Sequence, residues 1–248
     1  GTSVDGSRHR GVIATCPGHG IQLRTGRLVL PVWLATARSA PHGDAVASTI
    51  FSDDHGATWH AGEIAVPNNN RTSGTSESIA VELSDGRVAL YARTRSKPDR
   101  KVVAYSANGA TGWTQPGFVD ALLEPVCMAG VVSYPGAKPR ILFSNPHTLE
   151  LNGVPGKAGE RRDRKNLSIK LSDDDGRTWP VSKTLEPGPS AYSDLAVLPD
   201  GTILCLFESG RGVPAAGVKP WPYAFITLAR FNLEWLTGGR DASARTSR

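Results

Sequence analysis

The sequence of 248 residues has few cysteines, little helical periodicity and no long apolar run. Its three cysteines, Cys16, Cys127 and Cys205, are odd in number and lack metal-ligand spacing, so neither a disulfide framework nor a metal site is expected. Cys205 alternates with leucines and is predicted to be a small buried apolar residue. Because no apolar segment has membrane-spanning length, we expect no membrane partner. We also expect no cofactor.

The sequence also has little excess charge of either sign, since 28 basic and 23 acidic residues leave a net charge of +5. That balance is typical of an ordinary protein surface. No basic tract carries interleaved aromatic residues, so nucleic acid is not an expected partner. If the ligand is a small anion, a local cluster of arginines is a better candidate for its binding site than the weak net charge of the whole protein.

Residues that form turns are abundant instead. The sequence has 27 glycines, 18 prolines and 6 tryptophans, and together with the lack of helical periodicity they predict an all-β chain. We predict one domain over residues 11–238 and loose termini at 1–10 and 239–248.

One hairpin turn recurs along the chain, with close copies at Gly26, Gly86 and Gly201 and a looser copy at Gly136. Successive copies lie roughly 60 residues apart, which suits a four-stranded sheet with its loops. We therefore predict about four sheets in series, with hairpins at 17–35, 77–94, 127–144 and 192–208 and third strands near 46–51, 101–106, 166–171 and 223–230. Short antiparallel sheets repeated in this way are typical of a β-propeller.

A second kind of turn follows three of the third strands. Residues 52–59 and 172–179 both fit Ser-x-Asp-x-Gly-x-Thr-Trp, and residues 106–113 are a degenerate copy. In such a turn Asp and Ser bond to nearby backbone N–H groups, and glycine adopts a positive φ. A calcium loop at residues 173–175 is disfavoured, because this acidic triplet lies in a repeated turn and lacks the alternating ligands of an EF-hand.

The hairpin turns also predict which polar groups face each other. If each turn is a three-residue loop with glycine in the left-handed conformation, Glu77 pairs with Arg93, and Tyr192 pairs with Glu208. A two-residue turn would put the members of each pair on opposite faces of the sheet.

Glu77, Arg93, Arg164 and Tyr192 follow one another in this order along the chain. With this ordered set, the chain resembles the bacterial exo-sialidases, retaining glycoside hydrolases built on a six-bladed β-propeller with Asp-box turns. The matching stretches are residues 17–23, 26–29, 52–56, 76–78, 81–87, 144–146, 164–167 and 192–195. The resemblance implies about four of the six blades, Tyr192 as the nucleophile and Glu77 as its base. It also implies that Arg93 and Arg164 are the second and third arginines of a carboxylate-binding triad, and that Glu208 supports the first arginine.

The chemistry of the substrate is consistent with these residue types. A sialic acid carries a carboxylate on its anomeric carbon, so a neutral phenol avoids the repulsion that a carboxylate nucleophile would meet. A phenol with a pKa of about 10 is a weak nucleophile at neutral pH and needs an adjacent base, for which Glu77 is the candidate. Guanidinium groups bind a carboxylate bidentately.

Each assignment also has a structural alternative. Glu77 fits an exposed acid at a strand end, Tyr192 fits a core or rim aromatic, and Arg164 lies in a charged run that would ordinarily be solvated. We interpret His19 as a structural loop residue and Asp194 as a structural residue beside the candidate nucleophile.

The sequence departs from the family pattern at its N-terminal side. The family's first arginine lies in a Phe/Tyr-Arg-Ile-Pro motif, its acid/base aspartate follows one strand later, and neither has a counterpart upstream of Gly18. We therefore expect the chain to represent the C-terminal two-thirds of a domain that acts on sialylated glycans, and to be inactive or very weak alone. A secreted or periplasmic location is expected if a signal peptide precedes these residues.

Two other classes of function stay open at this point. One is a propeller that binds sialic acid or another glycan without catalysis, and its binding would survive Tyr192→Phe. The other is a related hydrolase of a different ulosonic acid, or a trans-sialidase.

Overall fold

The computed structural model describes residues 12–35, 45–210 and 222–241, and an all-β fold is confirmed there. These residues form seventeen strands and one short helix, in chain order β1 (Ile13–Thr15), β2 (Ile21–Gln22), β3 (Leu28–Ala35), β4 (Ala45–Ser52), β5 (His60–Ala61), β6 (Ser78–Glu82), β7 (Val88–Ala92), β8 (Arg100–Ser106), β9 (Gly117–Leu123), β10 (Gly130–Tyr134), β11 (Arg140–Pro146), β12 (Glu150–Leu151), β13 (Val154–Pro155), β14 (Lys165–Ser172), β15 (Val181–Val197), β16 (Ile203–Ser209), β17 (Phe225–Phe231) and α1 (Leu233–Thr237).

The chain divides into two compact units, Gly1–Met128 with Thr148–Asp163, and Ala129–His147 with Arg164–Arg248. The single domain predicted from the sequence stays a prediction. The predicted loose segment 1–10 lies outside the described residues. In the second predicted terminus, the described Asp241 forms an ion pair with Arg140 at 2.5 Å.

The recurring hairpin turn has the predicted geometry. At Gly86, the Leu83 N–H donates to the Arg87 carbonyl at 2.7 Å, and the Gly86 N–H donates to the Leu83 carbonyl at 3.1 Å. The φ of Gly86 is 88°, in the left-handed region that glycine adopts without strain. Gly26 and Gly201 repeat the two bonds and the positive φ. The three-residue loop with a bulge is therefore confirmed at all three close copies.

The first unit contains two larger antiparallel sheets. One has the order β6-β7-β8-β9, and the other has the order β1-β3-β4-β5 with β2 beside β3. Antiparallel sheets bury one apolar face, and here the buried residues form a shared core that includes Val29, Leu90 and Val102. The third strands predicted near 46–51 and 101–106 are confirmed as β4 and β8. Strands β12 and β13 form a separate small hairpin.

In the second unit, the strands of the predicted third and fourth sheets are present, and one long strand, β15, belongs to both. The first half of β15 pairs with β14 and its second half pairs with β16, so the strand order is β10-β11-β14-β15-β16-β17. The change of partner comes at the prolines 187 and 189. Proline has no N–H for the ladder, and the strand exchanges its neighbour at this point.

The core of the second unit contains Cys205 and Phe207, so the predicted burial of Cys205 is confirmed. Helix α1 covers this core with Leu233 and Leu236, and it was not predicted from the sequence. Its local signals are those of a short helix. The Asn232 side chain accepts the Trp235 N–H at 2.8 Å, and a left-handed glycine ends the helix.

The Asp-box turns are self-supporting, as predicted. The Ser52 hydroxyl donates to Asp54 at 2.7 Å and accepts the Gly56 N–H at 2.9 Å, while Asp54 accepts both the N–H and the hydroxyl of Thr58. The turn at 172–179 repeats these bonds. In the degenerate turn, Asn108 takes the place of the aspartate.

No helix in the described part of the chain is long and apolar enough to cross a membrane. Within the same residues, no group of three or more His, Cys, Asp or Glu side chains could hold a metal ion. The acidic Asp-box residues have other roles, since Asp173 pairs with Arg140 and Asp174 accepts bonds from Thr178.

Candidate active site

Glu77 and Arg93 flank the hairpin β6–β7, just before its first strand and just after its second. The Arg93 N–H donates to the Glu77 carbonyl at 2.8 Å, which continues the ladder in the predicted register. The Arg93 Nη1 donates to the Glu77 Oε2 at 2.5 Å, and the two side chains are only 9% and 7% exposed. The predicted pairing is confirmed, and the alternative of an exposed acid at position 77 is wrong.

Burying Glu77 and Arg93 together is costly. Removing two charges from water carries a large desolvation penalty, and apolar residues of similar volume are often equally stable or more so. Removing only one partner, by contrast, typically costs about 3–5 kcal/mol because the other charge is left buried. Each charge of this pair therefore depends on the other.

In the second unit, Arg164 and Tyr192 are brought together by the start of β14 and the second half of β15. The Ser190 N–H donates to the Arg164 carbonyl at 3.0 Å, and the Ser190 hydroxyl accepts the Leu167 N–H at 3.1 Å. The guanidinium carbon of Arg164 lies 5.3 Å from the centroid of the Tyr192 ring. This distance is within the range of a cation–π contact. The sequence did not predict this contact.

Glu208 lies close to Tyr192, but the two do not pair as ladder partners. The predicted register holds from Val197 to Ser193 and then shifts before Ser190. Around this bulge, the Glu208 Oε2 accepts the backbone N–H of Tyr192 at 3.1 Å. The prediction of a direct ladder pair is therefore wrong, because the bulge lets a side-chain carboxylate take the place of a ladder acceptor. The predicted proximity is confirmed.

The five candidate residues thus form two groups. Glu77 and Arg93 belong to the first unit, and Arg164, Tyr192 and Glu208 belong to the second. Each group contains a guanidinium, which stays charged at any physiological pH and can bind a carboxylate through two parallel N–H bonds. The second group adds a partly buried phenol, which can act as a nucleophile or as a hydrogen-bond donor.

Sequence reasoning missed two other buried ion pairs in the first unit. Arg162 Nη2 lies 2.9 Å from Asp99 Oδ2, and Lys101 Nζ lies 2.7 Å from Glu124 Oε2. A usable signal was present for the second pair. Lys101 is a charged residue within the apolar third strand that was predicted at 101–106. Asp194, interpreted as structural, accepts the Leu195 N–H at 2.9 Å.

Comparison with known proteins covers most of the chain. Residues 4–205 match the family of BNR repeat-like domains. A sialidase of Micromonospora viridifaciens is 35% identical over 232 residues, which are 89% of this chain and 30% of the bacterial protein. Sialidase-3 of Mus musculus is 29% identical over 237 residues, which are 80% of this chain and 55% of the mouse protein.

Among solved structures, the Hadza microbial sialidase Hz136 matches with a TM-score of 0.70 and 30% identity, over 90% of this chain and 38% of that protein. The sialidase structures that this fold matches are β-propellers. The chain spans between 30% and 55% of the length of the bacterial and mouse relatives.

Proposed function

This chain belongs to the sialidase family of BNR repeat-like domains, and we propose that it forms part of an exo-α-sialidase that removes terminal α-linked sialic acids from glycoconjugates. We further propose that its sheets are blades of a six-bladed propeller, about four of which lie in this chain. The observation that carries the functional proposal is the Arg164 guanidinium 5.3 Å from the Tyr192 ring centroid. This contact puts a group that can bind a carboxylate beside a phenol. Nucleophilic attack on a sialoside requires both groups.

In the proposed reaction, Tyr192 attacks the anomeric carbon C2 while the bond from C2 to the glycosidic oxygen breaks. The aglycone departs, and a covalent glycosyl-enzyme intermediate remains. Water then hydrolyses this intermediate, so the configuration is retained. Glu77 is the proposed base that takes the phenolic proton as the bond forms. Glu208 supports the nucleophile by holding its backbone N–H.

Arg93 and Arg164 are the proposed ligands of the substrate carboxylate. A guanidinium has five N–H donors in a planar fork, so Arg93 can serve both Glu77 and a carboxylate through different nitrogens. Lysine would keep the charge but would lose the bidentate geometry. This difference provides a test that does not leave Glu77 buried without a cation.

We also propose that these 248 residues do not supply the acid that protonates the leaving group, because they contain no counterpart of the family's aspartate motif. General acid catalysis typically contributes about 10²–10⁴-fold in rate. An aryl alcohol is acidic and leaves with little help, whereas a sugar hydroxyl needs that proton. Residual activity should therefore depend strongly on the leaving group.

The hydrolysis test compares an umbelliferyl sialoside with sialyllactose, using the 248-residue chain. We expect very slow release of umbelliferone, a loss of that activity by about 100-fold or more in Tyr192→Phe, and no cleavage of sialyllactose. Tyr134→Phe is the matched control, since Tyr134 donates to the Gly201 carbonyl at 3.1 Å and should not affect turnover. Equal rates for Tyr192→Phe and the unmodified chain would contradict the nucleophile.

The binding test measures the affinity for free sialic acid by titration. Arg93→Lys and Arg164→Lys should each weaken binding by about tenfold or more, while the exposed control Arg230→Lys should not. Binding that survives all of these changes, or no binding at all, would contradict the proposal. Binding that needs the arginines but is never accompanied by turnover that depends on Tyr192 would indicate a glycan-binding module instead.

A further inference from the structure

The ion pair between Lys101 and Glu124 is deeply buried, with each side chain only 1% exposed. The Lys101 Nζ lies 2.7 Å from the Glu124 Oε2 and also donates to the Cys127 carbonyl at 2.5 Å. Neither residue has a role in the function proposed above. Lys101 lies on β8, and Glu124 lies just after β9.

Both carboxylate oxygens of Glu124 also hold backbone groups. Its Oε2 accepts the Thr94 N–H at 3.2 Å, and its Oε1 accepts the Cys127 N–H at 2.9 Å. The carboxylate thus connects the residue after Arg93 to the loop that follows β9. In that loop Val126 has a φ of 60°, an unusual conformation for a β-branched residue that neighbouring contacts must maintain.

The hydrogen bond from the Thr94 N–H to Glu124 lies just beyond the last ladder bonds of the sheet. Strand β7 ends at Ala92, and the Arg93 backbone is held by the Arg93 N–H to Glu77 carbonyl bond at 2.8 Å and the Ser76 N–H to Arg93 carbonyl bond at 3.1 Å. At Thr94, which is fully buried, Glu124 supplies the acceptor. A buried N–H without an acceptor is costly, so this carboxylate determines the path of the chain just beyond Arg93.

We propose that Lys101 and Glu124 are positioning residues that fix Arg93 for binding the substrate carboxylate. This inference rests on the proposed function, because it gives Arg93 that role. Glu124 acts through the Thr94 backbone, and Lys101 acts by neutralising Glu124 and holding Cys127. A binding group must keep its geometry to within a fraction of an ångström, and a long arginine side chain depends on a fixed backbone for that.

Replacing both Lys101 and Glu124 distinguishes an effect on the position of Arg93 from an effect on the stability of the fold. Glu124→Met alone leaves Lys101 charged and buried, so it should lower the melting temperature strongly. The pair Lys101→Met/Glu124→Met removes both charges at similar volume and should recover most of that loss. The double variant still lacks an acceptor for Thr94. We therefore expect its affinity for sialic acid to fall by about tenfold or more despite its restored stability.

Hydrogen exchange provides a readout that does not depend on substrate. In the double variant the amides of Arg93 and Thr94 should exchange about tenfold faster or more, while that of Leu90, inside β7, should be unchanged. Arg87→Gln is the control, since it removes an exposed ion pair with Asp85 in the same unit and should change neither readout. Recovery of stability, affinity and amide protection together would overturn the proposal, because it would show a merely structural pair.

A further variant keeps the test decisive if the double variant does not fold. Glu124→Gln loses the charge but keeps one oxygen that can accept the Thr94 N–H, so it should be destabilised yet retain more affinity than Glu124→Met. Equal affinities of the two variants would contradict the route through Thr94. If the unmodified chain binds no sialic acid, the proposed function fails. The positioning role is then decided by amide exchange at residues 93 and 94, where unchanged protection overturns it.

Discussion

Cys16 shows how a buried polar atom can organise the chain beside a candidate catalytic residue. Its Sγ accepts the Ser78 N–H at 3.2 Å, at the residue that follows Glu77. Burial raises the pKa of this thiol to about 11, so it stays protonated at neutral pH. Cys16 is therefore a structural contact of β6 rather than a nucleophile.

The carboxyl group of the Asp-box residue Asp54 makes the stability of the fold depend on pH. The hydroxyl and N–H of Thr58, together with the hydroxyl of Ser52, donate to Asp54 and hold its pKa below the ordinary value of 3.8. A carboxyl group with a lowered pKa in the folded state stabilises the fold at pH values above its ordinary pKa. That contribution is lost as the pH falls through the ordinary value towards the folded one.

Asp54→Asn should therefore reduce stability most at neutral pH. We expect its melting temperature to lie below that of the unmodified chain at about pH 7, and the difference to shrink as the pH is lowered to about 3. Thermal unfolding followed by circular dichroism at several pH values measures this. Asp120→Asn, at an exposed position of β9, is the control. A difference that grows on acidification would contradict the assigned sign.

At the level of the structural elements, two left-handed glycines differ in what a side chain would meet. A Cβ on Gly201, where φ is 81°, would lie 2.7 Å from the Tyr134 hydroxyl oxygen. A Cβ on Gly238, which ends α1 with a φ of 65°, would meet nothing within 4 Å. The first position combines a left-handed backbone with a close contact, whereas the second has the backbone conformation alone.

Gly201→Ala should therefore destabilise the chain more than Gly238→Ala. The second change is expected to cost about 1 kcal/mol for the left-handed conformation, or about 2–4 °C in melting temperature. Tyr134→Phe alone loses a hydrogen bond to the Gly201 carbonyl and should be mildly destabilising. In the Gly201→Ala background it removes the clashing atom, so it should be neutral or stabilising. Additive effects in this double-mutant cycle would contradict a clash between the new methyl group and the Tyr134 hydroxyl.

At the level of the whole molecule, one sheet face of the second unit is apolar and exposed. Leu206, Ile226 and Leu228 are 49%, 68% and 61% exposed, and Leu206 pairs directly with Leu228 across β16 and β17. The opposite face of β16 carries Cys205 and Phe207 into the core. Adjacent apolar side chains at a surface promote association between molecules.

The double change Ile226→Thr/Leu228→Thr should make the chain more soluble. Threonine has the β-branched shape that strands favour, so the melting temperature should change little. We expect less self-association at high concentration, measured by light scattering after size-exclusion chromatography. The same change at a buried position, Ile203→Thr, should instead lower the melting temperature. Unchanged self-association in the double variant would show that this face does not drive it.

What the sequence alone determined was local. The turn at Gly86 sets the register of its own hairpin, so the pairing of Glu77 with Arg93 followed from counting residues on either side of a left-handed glycine. The Asp-box bonds followed in the same way, because each joins residues at most a few positions apart. Such contacts depend on backbone conformations that the residue types themselves restrict.

The tertiary structure decided the contacts between distant strands. Arg164 reaches Tyr192 because the bulged β15 carries Ser190 alongside the start of β14. Glu124 follows β9 and reaches Thr94, beyond the end of β7, across the intervening strand β8. Ladder shifts and changes of strand partner are not encoded in any one segment, since they depend on how neighbouring strands twist and pack. The hairpins could thus be predicted from local residue patterns, whereas the contacts around Arg93 and Tyr192 depend on the packing of whole sheets.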